Sequence, residues 1–418
     1  MTQHISKFIV RTVLAALMIC SVHAADTKAD AAATVFTLNR LEQLLLETSP
    51  AVRSVRDQTR AAEAAVQTAR TFPNPSLEVM NGRMRRINAD TIYGDTKGYS
   101  LTQPLDMPWN RFPRVDGAQA NYEGAQALQR ASLADLKANL RQAFFDVLRR
   151  QAELKAAEED RLLTEDIRKR IALRVELGEA AKFELIKADA EMLMAQKSAQ
   201  SAQARVRQAR AALRAIVGPE LPERFELTSS INDIGALPSF DLLRDQVMQA
   251  NPELKQLQAQ ARQSAFKLSE EKALRLPQIS LRADLSRDPD YQTKTTGMQL
   301  TLPLWDWRGG PVGEAAARLA QANNNLQTAE FALLQRIETA YRQYEIAQSQ
   351  VSALESGIVR QAENALRIAQ TAYRAGEKGF LEVLDAQRVF RQARNELITA
   401  RFELANAWID IERLSAEP

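Results

Sequence analysis

The chain has one cysteine and two histidines in 418 residues: Cys20, His4 and His23. All three fall in the first 24 positions. There Lys7 and Arg11 precede a short apolar run, Val13–Ile19, and Val22-His23-Ala24 offers a cleavage point before Ala25. That pattern predicts a secretory signal over 1–24, too short in its apolar core to span a bilayer. Bulky Ile19 ahead of Cys20 argues against a lipid-bearing cysteine. Removal of the signal leaves a chain with no thiol and no imidazole. Disulfides, a thiolate nucleophile, an imidazole base and soft metal ligation are then excluded, and no cofactor or tight metal site is expected. No nucleophile–base set and no glycine-rich phosphate loop appears, so an enzyme is the least favoured class. Charge of one sign is also missing. Lys and Arg number 55 against 52 Asp and Glu, which offers nothing to nucleic acid. Aromatics are only 6%.

Abundant Ala, Gln, Arg, Glu and Leu give the composition of long helices. Leu133, Leu136, Leu140, Phe144 and Val147 recur at spacings of three and four, one face of a helix. Val115–Leu177 reads as one helix of ~60 residues, about 90 Å long at 1.5 Å per residue. Gly178 breaks it, and Phe183–Val217 follows as far as Gly218-Pro219. A second pair, Gly309–Ala375 and Leu381–Leu414, encloses GEKGFLEVLDA at 376–386, as the first pair encloses GEAAKFELIKA at 178–188. Gly376 and Gly178 are 198 residues apart, and at that offset Glu382 meets Glu184 and Ala386 meets Ala188. Shorter helices precede each long pair. Leu38–Glu47 is followed by Ser49-Pro50 and Val52–Arg70; Phe240–Gln249 is followed by Asn251-Pro252 and Glu253–Leu274. The expected organisation is a flexible segment 25–37, a first repeat 38–218, a connector 219–239 and a second repeat 240–418.

Between the short and long helices of each repeat the period changes to two. Strands are expected at about 76–88 and 96–106, and again at about 278–287 and 294–305. Two strand pairs cannot close a sheet, and open edges are a liability. Three chains would supply twelve strands, enough for a closed barrel, and lipid admits only closed barrels and helices. The strands have the ~10 residues that a tilted membrane strand needs. The helices are too polar for lipid and must pack on one another in water. A small soluble sheet is the alternative.

Several motifs carry a family resemblance along almost the whole mature length. They are Asn74-Pro75 before a strand, Gln103-Pro104-Leu105 closing one, and Asn251-Pro252-Glu253-Leu254 opening a helix. The most specific is Tyr373-Arg374-Ala375-Gly376 running into Leu381-Glu382-Val383-Leu384-Asp385-Ala386-Gln387. The chain resembles the TolC-like outer membrane factor family. That resemblance implies a mainly α fold with a small β part: duplicated long hairpins in a periplasmic α-barrel, and four strands per chain in a trimeric twelve-stranded outer membrane barrel. It implies a homotrimer in outer membrane lipid, working with a periplasmic adaptor and an inner membrane pump of the RND type. Phe72-Pro73-Asn74-Pro75, Gln103-Pro104-Leu105-Asp106 and Trp305-Asp306-Trp307-Arg308-Gly309-Gly310 look most like the cobalt–zinc–cadmium and nickel–cobalt resistance branch. Met107-Pro108-Trp109-Asn110-Arg111 departs from that branch, which leaves drug efflux or type I secretion open.

In the resemblance Glu382 and Asp385 match acidic positions ringing a closed periplasmic entrance, and Lys378 falls near a basic gate-linking position. Glu184 is the first copy's acid, but Lys187 stands where Asp385 does in the second. Solvated charges favoured by a helix start are the bland alternative. Gly178 with Glu179 and Gly376 with Glu377 mark the tip turns, the expected adaptor-docking points; an ordinary helix cap explains the glycines equally well. Tyr99, Trp109, Trp305 and Trp307 fall at strand ends, as an interfacial aromatic belt or as packing between barrel and helices. Two rival classes remain: a periplasmic adaptor, which the duplication opposes, and a coiled-coil scaffold, which the proline-stopped strands fit poorly.

Overall fold

Proline and glycine set most of the boundaries. A computed structural model describes residues 34–85, 92–228, 235 and 237–415. The expected signal, residues 25–33, strand residues 86–88, connector residues 229–234 and 236, and residues 416–418 lie outside these. The chain runs β1 (Thr34–Phe36), α1 (Leu38–Thr48), α2 (Pro50–Arg70), β2 (Ser76–Arg85), β3 (Ile92–Pro104), α3 (Pro108–Glu176), α4 (Lys182–Val217) and β4 (Phe225–Leu227). It continues with α5 (Phe240–Ala250), α6 (Pro252–Ala273), β5 (Gln278–Arg287), β6 (Gln292–Thr301), α7 (Gly309–Ala353), a π-turn (Leu354–Ile358), α8 (Val359–Arg374) and α9 (Phe380–Ser415). Pro50, Pro108 and Pro252 occupy first turns, where the missing N–H is one the helix leaves unpaired anyway.

Strands β3 and β6 begin and end up to four residues before the expected 96–106 and 294–305, and three further details differ from the sequence reading. Helix α3 starts at Pro108 rather than near Val115 and takes Pro113 inside it. An interior proline removes one backbone bond, but this turn is held from outside. Asp106 accepts from Arg111 at 3.2 Å and Arg114 at 2.6 Å. The same arginines donate to the Arg70 and Ala69 carbonyls that end α2, at 2.7 and 3.2 Å. Second, the last residues of the stretch expected to be flexible form β1, paired in parallel with β4 inside the expected connector. Phe36 and Phe225 meet edge to face at 6.4 Å. Third, the second long helix is not continuous. Its buried stripe steps by seven from Ile337 to Tyr344 and from Ala347 to Leu354, then by eight from Leu354 to Ala362. The extra residue is absorbed by the π-turn, in which the Val359 N–H reaches the Leu354 carbonyl.

The long helices pack through small residues. Ala188, Ala195, Ala202 and Ala209 are buried every seventh residue along α4, and Ala393, Ala400 and Ala407 recur likewise in α9, at the 198-residue offset. A strict seven-residue period produces a left-handed supercoil. The larger side chains gather at the waist. Leu41 and Leu45 of α1 pack with Leu140, Phe144, Leu213, Phe225 and Ile409. Leu243 and Val247 of α5 pack with Leu254, Leu333, Ile337 and Ile411. Arg141 bridges Glu42 and Glu412, tying α1, α3 and α9 together. Asn251 caps α6 by accepting from the Leu254 N–H at 3.1 Å and donates to the Leu414 carbonyl at 3.0 Å.

The sheet order is β2-β3-β5-β6, antiparallel throughout, with β2 and β6 as open edges. Register puts Leu77, Val79, Tyr99, Leu101, Leu281, Leu285, Met298 and Leu300 on one face, and Glu78, Ser100, Arg282, Asp284, Thr295 and Gln299 on the other. One face is therefore a continuous apolar band and the other is polar.

Arg308 forms the junction into α7 and holds a left-handed backbone, φ 52°. Its N–H donates to Asp306 at 2.8 Å and its guanidinium sits on buried Glu271, which Lys267 also approaches at 3.2 Å. The Arg308 bond holds the Glu271 carboxyl below its usual pKa range, with Lys267 adding to the effect. A depressed acid stabilises the fold above its unfolded pKa and loses that contribution as pH falls through the folded value. Glu271→Gln should therefore unfold more easily than wild type at neutral pH, by about 2 kcal/mol. The gap should close below the ordinary glutamate range of about 4.3. Chemical unfolding in detergent, followed by helical circular dichroism across pH, measures this; a gap that does not change with pH would remove the assigned role.

Candidate functional site at the hairpin tips

Both long hairpins turn on the same backbone device. Gly178 and Gly376 each adopt φ 78°. The Gly178 N–H bonds to the Val175 carbonyl at 3.1 Å and the Glu179 N–H to the Arg174 carbonyl at 2.8 Å. In the second copy Gly376 reaches Tyr373 at 3.1 Å and Glu377 reaches Ala372 at 2.9 Å. This paired closure of the last helical carbonyls is the Schellman motif, and its left-handed residue favours glycine. Added Cβ atoms would meet nothing within 4 Å at either glycine, so the constraint is torsional. The next helices begin alike, with Glu184 N–H on the Ala181 carbonyl and Glu382 N–H on the Gly379 carbonyl, at 3.0 and 3.2 Å. Both glutamates lie in a first turn, where the helix dipole favours negative charge.

A compact apolar knot joins the two tips. Ile167 and Ile171 of α3 and Ala188 of α4 pack against Tyr373, Phe380 and Val383. The Tyr373 and Phe380 rings lie 6.2 Å apart, and the Arg174 guanidinium stands 5.0 Å over Tyr373. The expected gate charges stay at the surface and pair within their own segment: Lys378 with Glu382 at 2.7 Å and Asp385 with Arg388 at 2.6 Å. Glu179 pairs loosely with Arg174 at 3.8 Å, Glu377 is exposed, and Glu184 is half-buried. The structure thus brings Lys378 to Glu382 but leaves Asp385 on a different partner.

One turn further from the tip lies a buried polar cluster that the sequence reading did not single out. The Gln387 amide donates to Thr164 at 3.0 Å and to Asp160 at 3.5 Å, and Arg391 approaches Asp160 at 3.6 Å. Arg394 adds a bond to the Ala156 carbonyl at 2.6 Å and to Glu159 at 3.0 Å. These contacts fasten α9 to α3. Gln387 stands 198 residues after Asp189, which pairs with Arg168 of α3 at 2.7 Å. The repeat offset could have exposed the pair, since both positions are polar within an otherwise alanine-lined seam.

The aromatics separate. Trp109, Trp305 and Trp307 gather where the sheet joins the helices, with Trp305 90% exposed, while Tyr99 lies on the apolar face further along β3.

Prediction for the turns is direct. Gly178→Ala and Gly376→Ala should each cost about 1–2 kcal/mol, the left-handed penalty. Gly313→Ala, inside α7 with open space around it, should be neutral or stabilising. Thermal unfolding of the three variants compares them, and an unaffected Gly376→Ala protein would refute the torsional argument.

Comparison with known proteins places these features. The outer membrane efflux protein family model matches residues 41–219 and 243–417. The cobalt-zinc-cadmium resistance protein CzcC of Cupriavidus metallidurans is 23% identical over 356 residues, 85% of this chain and 84% of that protein. The nickel-cobalt-cadmium resistance protein NccC of Alcaligenes xylosoxydans xylosoxydans is 23% identical over 290 residues, 69% of this chain and 65% of that protein. Among solved structures, the outer-membrane channel OprN superposes with a TM-score of 0.81 at 19% identity, covering 91% of this chain and 90% of OprN. CusC gives 0.80 at 17%, covering 90% and 91%. The chain belongs to the outer membrane efflux protein family and has the fold of its TolC-like channels.

Proposed function

We propose that three copies close their sheets into a twelve-stranded barrel and their long hairpins into a duct, forming the outer membrane exit of a tripartite efflux pump. The observation that carries this is the sheet: one apolar face, one polar face and two unpaired edges, β2 and β6. A chain that left those edges open in lipid would strand its backbone polar groups. Edge-to-edge pairing of copies satisfies them and turns the apolar band outward. The polar hairpins then hang on the periplasmic side. There the tips around Gly178, Glu179, Gly376 and Glu377 meet an adaptor that connects to an RND-type inner membrane pump. The chain acts through pore charge and gating, not bond chemistry.

The substrates we assign are heavy-metal cations such as cobalt, zinc, cadmium, nickel or copper. The likeness to the two metal resistance proteins supports this, across most of the chain in the first case. Without cysteine or histidine in the mature chain the duct would pass metals without holding them, leaving selectivity to the pump. A second reading is protease secretion, favoured by 24% identity to the alkaline protease secretion protein AprF of Pseudomonas aeruginosa over 41% of this chain. Deletion of the gene distinguishes them: loss of resistance to cobalt, zinc or cadmium supports the metal reading, and unchanged resistance with a lost secreted protease supports the other.

At the tip, three copies would place Glu382 and Asp385 in acidic rings around the entrance. Their ion pairs are exposed and worth only ~0.2–1 kcal/mol each, so removing them should leave the fold intact. Glu382→Gln with Asp385→Asn should raise the leak conductance of the closed channel in planar bilayers and weaken its cation preference. Wild-type conductance and selectivity in the double variant would count against the gate assignment.

A further inference from the structure

Sheet register sets three cations against one another. Lys97 of β3 is the direct partner of Arg287 of β5, and Lys294 of β6 partners Leu285, two positions from Arg287. Direct cross-strand partners share a face with Cβ atoms ~5 Å apart, and diagonal neighbours lie about 7–8 Å apart. The shared face is the apolar one, with Tyr99, Leu101, Leu285 and Met298. All three cations are exposed. None forms an ion pair with a described residue, whereas Arg83 pairs with Asp95 at 3.8 Å and Arg282 with Asp284 at 2.9 Å. Like charges directly opposite weaken strand pairing, and an anion between them would reverse that effect.

Their position says which anion. Arg287 ends β5 and Lys294 is the third residue of β6, beside the β5–β6 turn; the long helices leave the sheet at its other end. In the orientation proposed above, on which this inference rests, the cations lie in the leaflet facing away from the periplasm. Lys97 and Arg287 stand one step beyond the apolar band, at headgroup level, and Lys294 stands at its edge opposite Leu285. A soluble anion could use the charges but would gain nothing from the apolar side chains next to them. A lipid uses both.

We propose that Lys97, Arg287 and Lys294 bind the phosphorylated headgroup of an anionic lipid in the outer leaflet, with its acyl chains lying along Leu101, Leu285 and Met298.

The test uses the full-length channel and its Lys97→Gln/Arg287→Gln/Lys294→Gln variant, each reconstituted into phosphatidylcholine bilayers with or without lipid A. Conductance reports insertion, and native mass spectrometry with thermal unfolding reports bound lipid. Both proteins should insert and conduct. Wild type should retain lipid A about a hundredfold more tightly than the variant, from roughly 1 kcal/mol per cation near the surface. Inorganic phosphate should not stabilise either. Should the triple variant fail to assemble, Lys294→Gln alone should lose about fivefold, and the charge-conserving Lys97→Arg should lose nothing. Equal retention by wild type and variant, or equal stabilisation by free phosphate, would overturn the site. A wild-type protein that never inserts would instead overturn the channel reading and take the site with it.

Discussion

Close approach of helices at alanine is the constraint on which the rest of the structure depends. The buried stripe of α4 carries alanine at 188, 195, 202 and 209, each almost fully covered. The matching series in α9 repeats the spacing at the same offset. Methyl-lined seams bring backbones together, but they fix axial register only weakly, because alanines are interchangeable. Register must therefore come from elsewhere. The waist supplies it with Phe144, Leu213, Phe225 and Ile409, and the tip supplies it with Phe380, Tyr373 and Ile171. A seam pinned at both ends cannot tolerate a one-residue excess between the pins. The π-turn at Leu354–Ile358 absorbs that excess, with Glu355 held to Arg401 at 2.7 Å.

The two tips share a backbone and differ in chemistry. Equal φ at Gly178 and Gly376 makes the turns superposable, so side chains alone distinguish them. In the first copy Glu184 has Lys187 beyond it, and in the second Glu382 has Asp385. The polar contact to α3 also differs: a half-buried Asp189–Arg168 pair in one, a fully buried Gln387–Thr164–Asp160 cluster in the other. A buried amide network breaks less readily than an ion pair that solvent still reaches. The α8–α9 hairpin is thus fastened at a buried point above its acidic turn.

Much of this was legible beforehand, for physical reasons. Long uninterrupted period, paired glycines at a fixed offset and proline-stopped alternation survive in sequence because each depends on local chemistry. The repeat and its order of helices and strands follow from them, while the family and the outer membrane location follow from the resemblance carried by motifs such as Tyr373–Gly376 and Leu381–Gln387. What was missed depends on contacts distant in the chain. The start of α3 at Pro108, ahead of the expected Val115, depends on the Asp106–Arg111–Arg114 clamp on the end of α2. Strand β1 has three residues, too few for any period, and owes its existence to Phe225 across the chain. The π-turn was visible in principle, as an eight-residue step in a seven-residue stripe, but only once the buried stripe was known. Asp385 was grouped with Glu382 as an acidic pair, and the structure gives them separate partners, Arg388 and Lys378.

The distribution of charge follows from the same economy of parts. A duct that binds its cargo tightly slows its own traffic, since conduction needs sites weak enough to leave. The polar face of the sheet meets this with Arg282 and Asp284 neutralising each other at 2.9 Å, beside Glu78 and a set of hydroxyls and amides. Uncompensated cations appear instead on the opposite face, where nothing is transported. Three unmatched positive charges on a surface meant for lipid would be a defect if the lipid were neutral. They become a fastening if the lipid is phosphorylated, because lipid-facing charge near the interface costs little and an anionic headgroup repays it. The sheet thus keeps a neutral pair for the passage and its free cations for the membrane that holds it.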